Sequence, residues 1–366
     1  MTKKILIATG GTGGHVYPAI ALAQQLKDEY IDSEILFVGG GLSTNKHLDS
    51  RVFNSHTVCC GTFSSKSPKA IAEAFYDISK GIWQSHRLIR EFKPNVIVGF
   101  GSYYAFPPLI AAKLLGIPLV LHEANIIPGK VNRLLARWAE VTGVHFPETV
   151  HLLRGEALEV GMPLREEFLR TDTPQEVARE HFGLAPDIPT ILVFGGSQGA
   201  KMINALVSEA LSECNKDVQF QVLHLAGDEH RAHDVEFYYK LRGIKACVRA
   251  FEKQMQLAWR AANLVICRSG AGTIAEQLEF EVPGILIPYP KAAYNHQEHN
   301  ADFMVSTVGG AIKLNESGLG VSRLAECVRG FLMEDGAMIK AMQKSMNKYK
   351  SRARTRDLCS LVKDYL

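Results

Sequence analysis

The residues best suited to chemistry follow two glycine-rich turns, one in each half of the chain. The first turn, Gly10-Gly-Thr-Gly-Gly-His15, follows an apolar run at residues 5–8 and places a histidine at the entrance of a predicted helix. Such a turn lets backbone N–H groups approach an anion at the positive end of the helix. A histidine there can accept a proton near neutral pH. Alternatively, the glycines serve tight packing and His15 only hydrogen-bonds the loop.

The second half contains a matching turn, Gly195-Gly-Ser-Gln-Gly-Ala200, and a polar run at residues 268–276. In the polar run, residues 269–273 offer backbone donors to a phosphate. Glu276 lies one turn inside the predicted helix, where a carboxylate can accept both hydroxyls of a ribose. A second interpretation, compatible with the first, is a capping box formed by Thr273 and Glu276.

Two histidines further along the chain suggest a metal site as an alternative. His296 and His299 have the i, i+3 spacing that suits a metal, but the sequence offers no matching third ligand. The neighbouring amides of Asn295, Gln297 and Asn300 fit a polar sugar-binding loop equally well. We predict no metal and no cofactor.

The elements that must position these groups are short apolar strands that alternate with helical patterns. In the first half the apolar runs are residues 5–8, 35–38, 96–98, 119–121 and 141–144, and in the second half 190–194, 220–225, 247–250, 264–267 and 284–287. This alternation predicts parallel sheets, and 366 residues exceed what one core usually supports. We predict an α/β protein with two Rossmann-like, doubly wound parallel-sheet domains facing a central cleft.

Gly161 and Pro163 punctuate the chain between the two sets of strands. We therefore predict a first domain at residues 1–161 and a second domain at residues 162–340. Residues 341–366 are predicted to form a helical tail that returns to the first domain.

Charge and composition exclude several other classes. A formal charge of +3 is too small to indicate nucleic-acid binding, and seven scattered cysteines predict reduced, mostly buried thiols. The N-terminus lacks a secretory apolar region, so we predict a cytosolic protein. Pro107, Pro108 and Lys113 interrupt the apolar stretch 96–121, which we interpret as strand, loop, helix and strand.

The segment 66–93 has the composition of a basic amphipathic helix. Six basic residues outnumber three acids, and five large apolar residues are interleaved with them: Ile71, Phe75, Ile78, Ile82 and Trp83. Such a helix can lie on an anionic membrane surface, or its apolar face can pack into the first domain. The run 340–356 is also basic and is typical of a solvated helix face.

The chain resembles the MurG family of bacterial glycosyltransferases over essentially its whole length. The resemblance rests on the order and spacing of the motifs above and of three more: His122-Glu-Ala-Asn125, Gly161-Met-Pro-Leu-Arg165 and Gln297-Glu-His-Asn-Ala301. The resemblance implies the GT-B fold and inverting transfer of N-acetylglucosamine from UDP-N-acetylglucosamine to the 4-hydroxyl of undecaprenyl-pyrophosphoryl-N-acetylmuramoyl-pentapeptide (lipid I). The product would be lipid II, with a β(1→4) linkage, in peptidoglycan synthesis. It also implies a peripheral position on the cytoplasmic face of the inner membrane, and cell-wall synthesis and division proteins as partners.

The resemblance also implies roles for individual residues. His15 and Glu123 would lie nearest the acceptor as alternative general bases. Ser197 would meet the diphosphate, Glu276 the ribose, and Asn125 and Gln297 the sugar. The implied donor-site residues are Thr12, Gly13, Gly14, Asn125, Arg165, Ser197, Glu252, Ala271, Gly272, Thr273, Ile274, Ala275, Glu276 and Gln297.

The sequence departs from the family pattern at two positions. Glu252 stands where an apolar residue is common, so only its backbone contact with uracil is expected to transfer. Ser102 replaces a glycine that is common in the acceptor loop.

Three other functions remain as alternatives. A nicotinamide-dependent oxidoreductase also uses glycine-rich turns, but the first turn is not a clean G-x-G-x-x-G and no acidic residue ends the second strand. Another GT-B enzyme or a UDP-sugar epimerase would share only the second domain's features. A non-catalytic sugar-nucleotide binder would bind donor without turnover.

Overall fold

The computed structural model describes residues 2–62, 67–170, 172–196, 201–333, 336–352 and 356–366. The chain divides into two compact units, one of residues 1–166 with 354–366 and one of residues 167–353. The first boundary therefore lies five residues after the predicted one, and the predicted tail is shared between the units.

The first unit is built around a parallel sheet of seven strands. Its elements are β1 (Lys4–Ala8), α1 (Gly13–Glu29), β2 (Glu34–Gly39), β3 (Asn54–Thr57), α2 (Pro68–Phe92), β4 (Val96–Gly99), α3 (Phe106–Leu115), β5 (Leu119–Glu123), α4 (Lys130–Leu135), β6 (Val141–Val144) and β7 (Ala157–Glu159). The strand order is β3-β2-β1-β4-β5-β6-β7. The order reverses between β1 and β4, which is where Rossmann-like sheets bind ligands at the carboxyl ends of their strands.

The second unit repeats the plan with six parallel strands. Its elements, which begin at the boundary residue Glu166, are α5 (Glu166–Leu169), α6 (Gln175–His181), β8 (Thr190–Phe194), α7 (Lys201–Cys214), β9 (Gln221–Leu225), α8 (Glu229–Leu241), β10 (Ala246–Arg249), α9 (Met255–Ala261), β11 (Leu264–Cys267), α10 (Ala271–Phe280), β12 (Gly284–Leu286), α11 (His296–Asp302), β13 (Ala311–Lys313), α12 (Val321–Leu332) and α13 (Ala337–Lys350). The order β10-β9-β8-β11-β12-β13 reverses between β8 and β11. The predicted fold class is confirmed.

Each sheet is buried on both faces because helices cover both sides. In β1, Ile5 and Ile7 point into one apolar cluster while Leu6 and Ala8 point into the other. This two-sided burial explains why the strands have continuous apolar runs rather than alternating ones.

The end of the chain is shared between the units for a packing reason. The ring of Tyr349 in α13 meets Phe303 edge-on with centroids 5.5 Å apart, and Met346 is fully buried, so α13 belongs to the second unit. The last helix, α14 (Leu358–Lys363), instead places Leu358, Leu361 and Val362 in the core around β1.

The helix α2 has two different faces. Ala74, Gly81, Ser85 and Ile89 are buried, and a Cβ on Gly81 would lie 1.9 Å from the Cys59 carbonyl oxygen, so the helix packs closely on the unit. The other face is exposed. Among the described residues, no helix has both the length and the apolar character needed to cross a membrane.

All seven cysteines are free thiols in the structure. Three of them, Cys214, Cys267 and Cys359, are buried and the other four are partly exposed. The expectation of mostly buried thiols is therefore only partly met, because the remaining four lie in loops or near the sheet edges and helix surfaces.

Candidate active site

The first glycine turn connects β1 to α1 and packs under the ring of Tyr104. Gly11 has φ +84°, and a Cβ there would lie 2.9 Å from Tyr104 Cδ2. A Cβ on Gly10 would lie 2.7 Å from Tyr104 Cβ. Tight packing therefore accounts for these two glycines.

Gly13 and Gly14 are the first two residues of α1, and Gly13 also has a packing reason, since a Cβ there would lie 2.8 Å from Tyr17 Cε2. Thr12 is the N-cap residue but its side chain makes no capping hydrogen bond, and the first turn contains no acidic residue. A Cβ on the exposed Gly14 would meet only the Thr12 hydroxyl, 3.7 Å away. The first N–H groups of a helix have no intrahelical acceptor, so this end of α1 can receive an anion.

The His15 imidazole is held in one orientation. Its Nδ1 lies 2.8 Å from the Phe100 carbonyl oxygen, 85 residues away. Because a carbonyl only accepts, Nδ1 carries the proton and Nε2 keeps a free lone pair. Burial lowers the pKa of His15, opposed by this hydrogen bond and by the Glu123 charge. The ring is therefore neutral near pH 7 and can accept a proton through Nε2.

Glu123 is buried and its carboxylate is occupied. It accepts hydrogen bonds from the Asn125 N–H at 3.0 Å, the Gly129 N–H at 3.0 Å and the Asn132 side-chain amide at 2.9 Å. These bonds fix the loop between β5 and α4. Of the two predicted general bases, His15 keeps a ring nitrogen without a proton, whereas Glu123 is held by the residues that follow β5.

Sequence reasoning predicted Arg165 but missed its polar neighbours beside the start of α1, which are Tyr17, Asn45 and His47. The Tyr17 hydroxyl lies 3.0 Å from His47 Nδ1, and the Arg165 guanidinium lies 4.6 Å from the Tyr17 ring centroid. The Asn45 amide donates to the Gly11 carbonyl at 2.8 Å. Asn45 and His47 follow β2 at the edge of the sheet that carries the first glycine turn. That position in the sequence could have indicated that they lie near the start of α1.

In the second unit, the polar run 268–276 begins α10. Gly270 is the N-cap residue, so Thr273 lies inside the first turn and the predicted Thr273–Glu276 capping box is wrong. No atom outside the immediate backbone lies within 4 Å of the site of a Cβ on Gly272. The first two turns of α10 carry the predicted residues Ala271, Gly272, Thr273, Ile274, Ala275 and Glu276. Ser197, in the other turn, lies outside the described residues.

Gln297, in the first turn of α11, is oriented by hydrogen bonds at both ends of the residue. Its side-chain oxygen accepts from the Tyr289 N–H at 3.0 Å, and its backbone carbonyl accepts from the Ser269 hydroxyl at 2.7 Å. The side-chain nitrogen is then the group that can donate to a ligand hydroxyl.

Known proteins resemble this chain along essentially its whole length. The glycosyltransferase family 28 N-terminal domain matches residues 5–144, and the C-terminal domain of that family matches residues 190–357. A relative from Protochlamydia amoebophila (strain UWE25) is 47% identical over 364 residues, which cover 100% of this chain and 96% of the relative. That relative is a UDP-N-acetylglucosamine–N-acetylmuramyl-(pentapeptide) pyrophosphoryl-undecaprenol N-acetylglucosamine transferase. A protein of the same name from Chlamydia felis (strain Fe/C-56) is 35% identical, and the alignment covers 95% of this chain and 94% of that protein. The crystal structure of Acinetobacter baumannii MurG aligns with TM-score 0.76 and 25% identity over 99% of both chains.

This chain belongs to the MurG family. It is therefore a glycosyltransferase of the GT-B fold.

The two departures from the MurG-family pattern have structural explanations. The Glu252 carboxylate is buried, accepts from the Gln254 N–H at 2.7 Å and pairs with Arg249, so the side chain is used within the protein. Ser102 has φ +71°, a conformation that favours glycine, and its hydroxyl accepts weakly from the Tyr104 N–H at 3.4 Å.

His296 and His299, the alternative metal ligands of the sequence analysis, both lie on α11. In the described parts of this MurG-family chain, no three His, Cys, Asp or Glu side chains are grouped so that they could hold a metal ion. His296 is partly buried and His299 is exposed.

Proposed function

We propose that this protein transfers N-acetylglucosamine from UDP-N-acetylglucosamine to the 4-hydroxyl of lipid I and so forms lipid II for peptidoglycan. The observation that carries the proposal is the 47% identity, over the full chain, to the Protochlamydia amoebophila transferase of that name. The same identity disfavours the oxidoreductase alternative, which needs an acidic residue where β2 ends in Val38-Gly39.

The proton transfer is assigned to His15. As the acceptor oxygen forms its bond to the anomeric carbon, its proton passes to His15 Nε2, and the bond from that carbon to the diphosphate breaks with its electron pair on UDP. Glu123 stabilises the resulting imidazolium. Direct displacement inverts the anomeric centre, so an α-linked donor gives a β-linked product.

The departing diphosphate needs fixed donors rather than an acid. We assign this role to the uncapped first turn of α10, with Gly272 and Thr273, and to Ser197. Hydrogen-bond donors held in place stabilise developing negative charge without having to reorganise.

The remaining donor contacts follow the same assignments. Glu276 accepts from the ribose hydroxyls, the Glu252 backbone contacts the base, and Gln297 and Asn125 bind the sugar. Thr12, Gly13, Gly14 and Arg165 offer N–H groups and a positive charge at the start of α1.

Transfer of radiolabel from UDP-N-acetylglucosamine to a lipid-linked muramyl-pentapeptide tests the function. Labelled lipid should be extracted with the wild type, and not with His15→Ala on the same timescale. Donor binding without any labelled lipid would instead support the non-catalytic sugar-nucleotide binder. Thermal stabilisation by NAD and not by UDP would support the oxidoreductase.

We further propose that α2 holds the protein on the cytoplasmic face of the inner membrane. Phe75, Tyr76 and Trp83 are 60%, 67% and 58% exposed on this helix, and Arg87 lies 5.1 Å from the Trp83 ring centroid. An exposed aromatic and basic helix face suits the interface of an anionic membrane. Lys66, part of the predicted segment, lies outside the described residues. Cell-wall synthesis and division proteins would then be partners at that membrane.

Co-sedimentation with liposomes that contain anionic lipid tests this assignment. Phe75→Ala combined with Trp83→Ala should weaken binding about tenfold or more, because each buried aromatic ring contributes on the order of 1–3 kcal/mol. Phe237→Ala on α8 of the second unit, where Phe237 is 64% exposed, is the matched control and should leave binding unchanged. Equal binding by the α2 variant would contradict the assignment.

A further inference from the structure

A buried tryptophan contacts the carboxylate assigned to the ribose. Trp259, on α9, has no solvent exposure, and its indole N–H donates a 2.8 Å hydrogen bond to Oε2 of Glu276 on α10. Neither the motifs nor the family resemblance singles out Trp259.

We propose that Trp259 is a positioning residue for nucleotide binding, which holds the Glu276 carboxylate in the orientation that receives the ribose diol. The inference rests on the proposed function, because it takes Glu276 as the ribose ligand.

The hydrogen-bonding capacity of the two groups supports this role. A carboxylate has two oxygens and about four acceptor positions, and an indole N–H donates once and accepts nothing. Trp259 therefore donates to a single acceptor position on Oε2 and occupies no other position of the carboxylate. Glu276 is partly exposed, and a free glutamate side chain would lose rotamer entropy on binding a ribose.

The indole is itself held firmly. Its ring meets Phe194 edge-on, with centroids 5.6 Å apart and an interplanar angle of 89°. Phe194 is the last residue of β8 and directly precedes Gly195, where the second glycine turn begins. The indole thus links the ribose carboxylate to the strand that leads into the predicted diphosphate turn.

The test begins with Trp259→Phe, which removes the N–H and keeps an aromatic ring. The lost hydrogen bond involves a charged group. Its loss should therefore raise the Kd for UDP and the KM for UDP-N-acetylglucosamine by about tenfold. The kcat should change less than about threefold, because the bond is made in both ground and transition states. Trp138→Phe, the same substitution in the first unit, is the control and should leave both constants unchanged.

A double-mutant cycle separates positioning from general destabilisation. In a Glu276→Ala background, Trp259→Phe should have no further effect on the Kd for UDP, since no carboxylate remains to be held. Additive losses, or an unchanged Kd in folded Trp259→Phe, would overturn the inference. If Trp259→Phe does not fold, benzothienylalanine at position 259 replaces the N–H by sulfur in a ring of similar shape. Wild-type protein that binds no UDP would refute the proposed function instead.

Discussion

His15 and Glu123 differ in what their hydrogen bonds leave free. His15 uses Nδ1 on the Phe100 carbonyl and retains Nε2, whereas Glu123 is surrounded by the donors of its own loop. The Glu123 oxygens already accept hydrogen bonds from Asn125, Gly129 and Asn132, so they are less available to an acceptor hydroxyl. These contacts support the proposed roles, in which His15 takes the proton and Glu123 stabilises the charge.

His15→Ala should lower kcat by about 10²- to 10⁴-fold, with the donor KM changed less than about threefold. Because burial lowers the pKa of His15, wild-type activity should persist below pH 6.5 and fall only as the ring becomes protonated. Steady-state rates from pH 5 to 8 measure both effects. Normal turnover by His15→Ala would exclude it as the base.

Ser102→Gly should stabilise the first unit by about 1 kcal/mol, because φ +71° is strained for serine and relaxed for glycine. Urea unfolding measures the change. Ser102→Ala is the control. It keeps the backbone strain and loses the hydroxyl contact with Tyr104, so it should not stabilise the first unit. A destabilised Ser102→Gly variant would show that the hydroxyl matters more than the backbone.

At the scale of elements, α1 and α10 begin alike. Each follows a strand at the point where its sheet order reverses, and each lacks a side-chain cap. Each also has a glycine in its first turn, Gly14 or Gly272, where a Cβ would fit without a clash. Glycine is unfavourable in a helix, and in a first turn without a side-chain cap it leaves the backbone N–H groups accessible to a ligand.

Gly272→Ala should therefore raise stability by about 0.5–1 kcal/mol and also raise the donor KM by about tenfold, because the methyl group occupies the space of a phosphate. Gly330→Ala, at an exposed position in α12 that also has open space, should give the same stabilisation with unchanged kinetics. Thermal unfolding and steady-state kinetics of both variants check this. Unchanged kinetics in Gly272→Ala would place the diphosphate elsewhere.

At the scale of the whole molecule, each unit has a fully buried histidine that is kept neutral. Burial lowers the pKa of His122 to about 4 and that of His224 to about 3. His224 lies between the Tyr239 hydroxyl, at 2.9 Å, and the Asn204 side-chain oxygen, at 3.2 Å. Both histidines gain protons on unfolding in mild acid, so both units should lose stability there.

The pH dependence follows from the sign of these shifts. Above pH 6.5 the two histidines are neutral in both the folded and the unfolded chain and do not reduce the free energy of unfolding. As the pH falls below 6.5 they are protonated only in the unfolded chain, so the free energy of unfolding falls, down to about pH 4 for His122 and about pH 3 for His224. At pH 5 each histidine should cost on the order of 2 kcal/mol of unfolding free energy. Urea unfolding at pH 7.5, 6 and 5 measures the loss. His224→Gln should reduce the pH dependence, while His233→Gln, at an exposed position of the same unit, should not.

The order of apolar runs and glycine turns was enough to predict two parallel-sheet domains, because strand and helix periodicities are local properties of the chain. The family was also readable from motifs whose spacing is itself a property of the sequence. The boundary was less precise: the chain crosses between units after Glu166, and α13 joins the second unit through Phe303 and Tyr349.

By itself, then, the sequence determined the fold class, the family and most of the candidate residues. Only the tertiary structure showed how the contacts of His15 and Glu123 differ, excluded the capping box and brought Trp259 to Glu276. The physical reason is that hydrogen bonds and burial arise between residues distant in sequence. His15 meets Phe100 across 85 residues, and no local pattern encodes which imidazole nitrogen that contact leaves free.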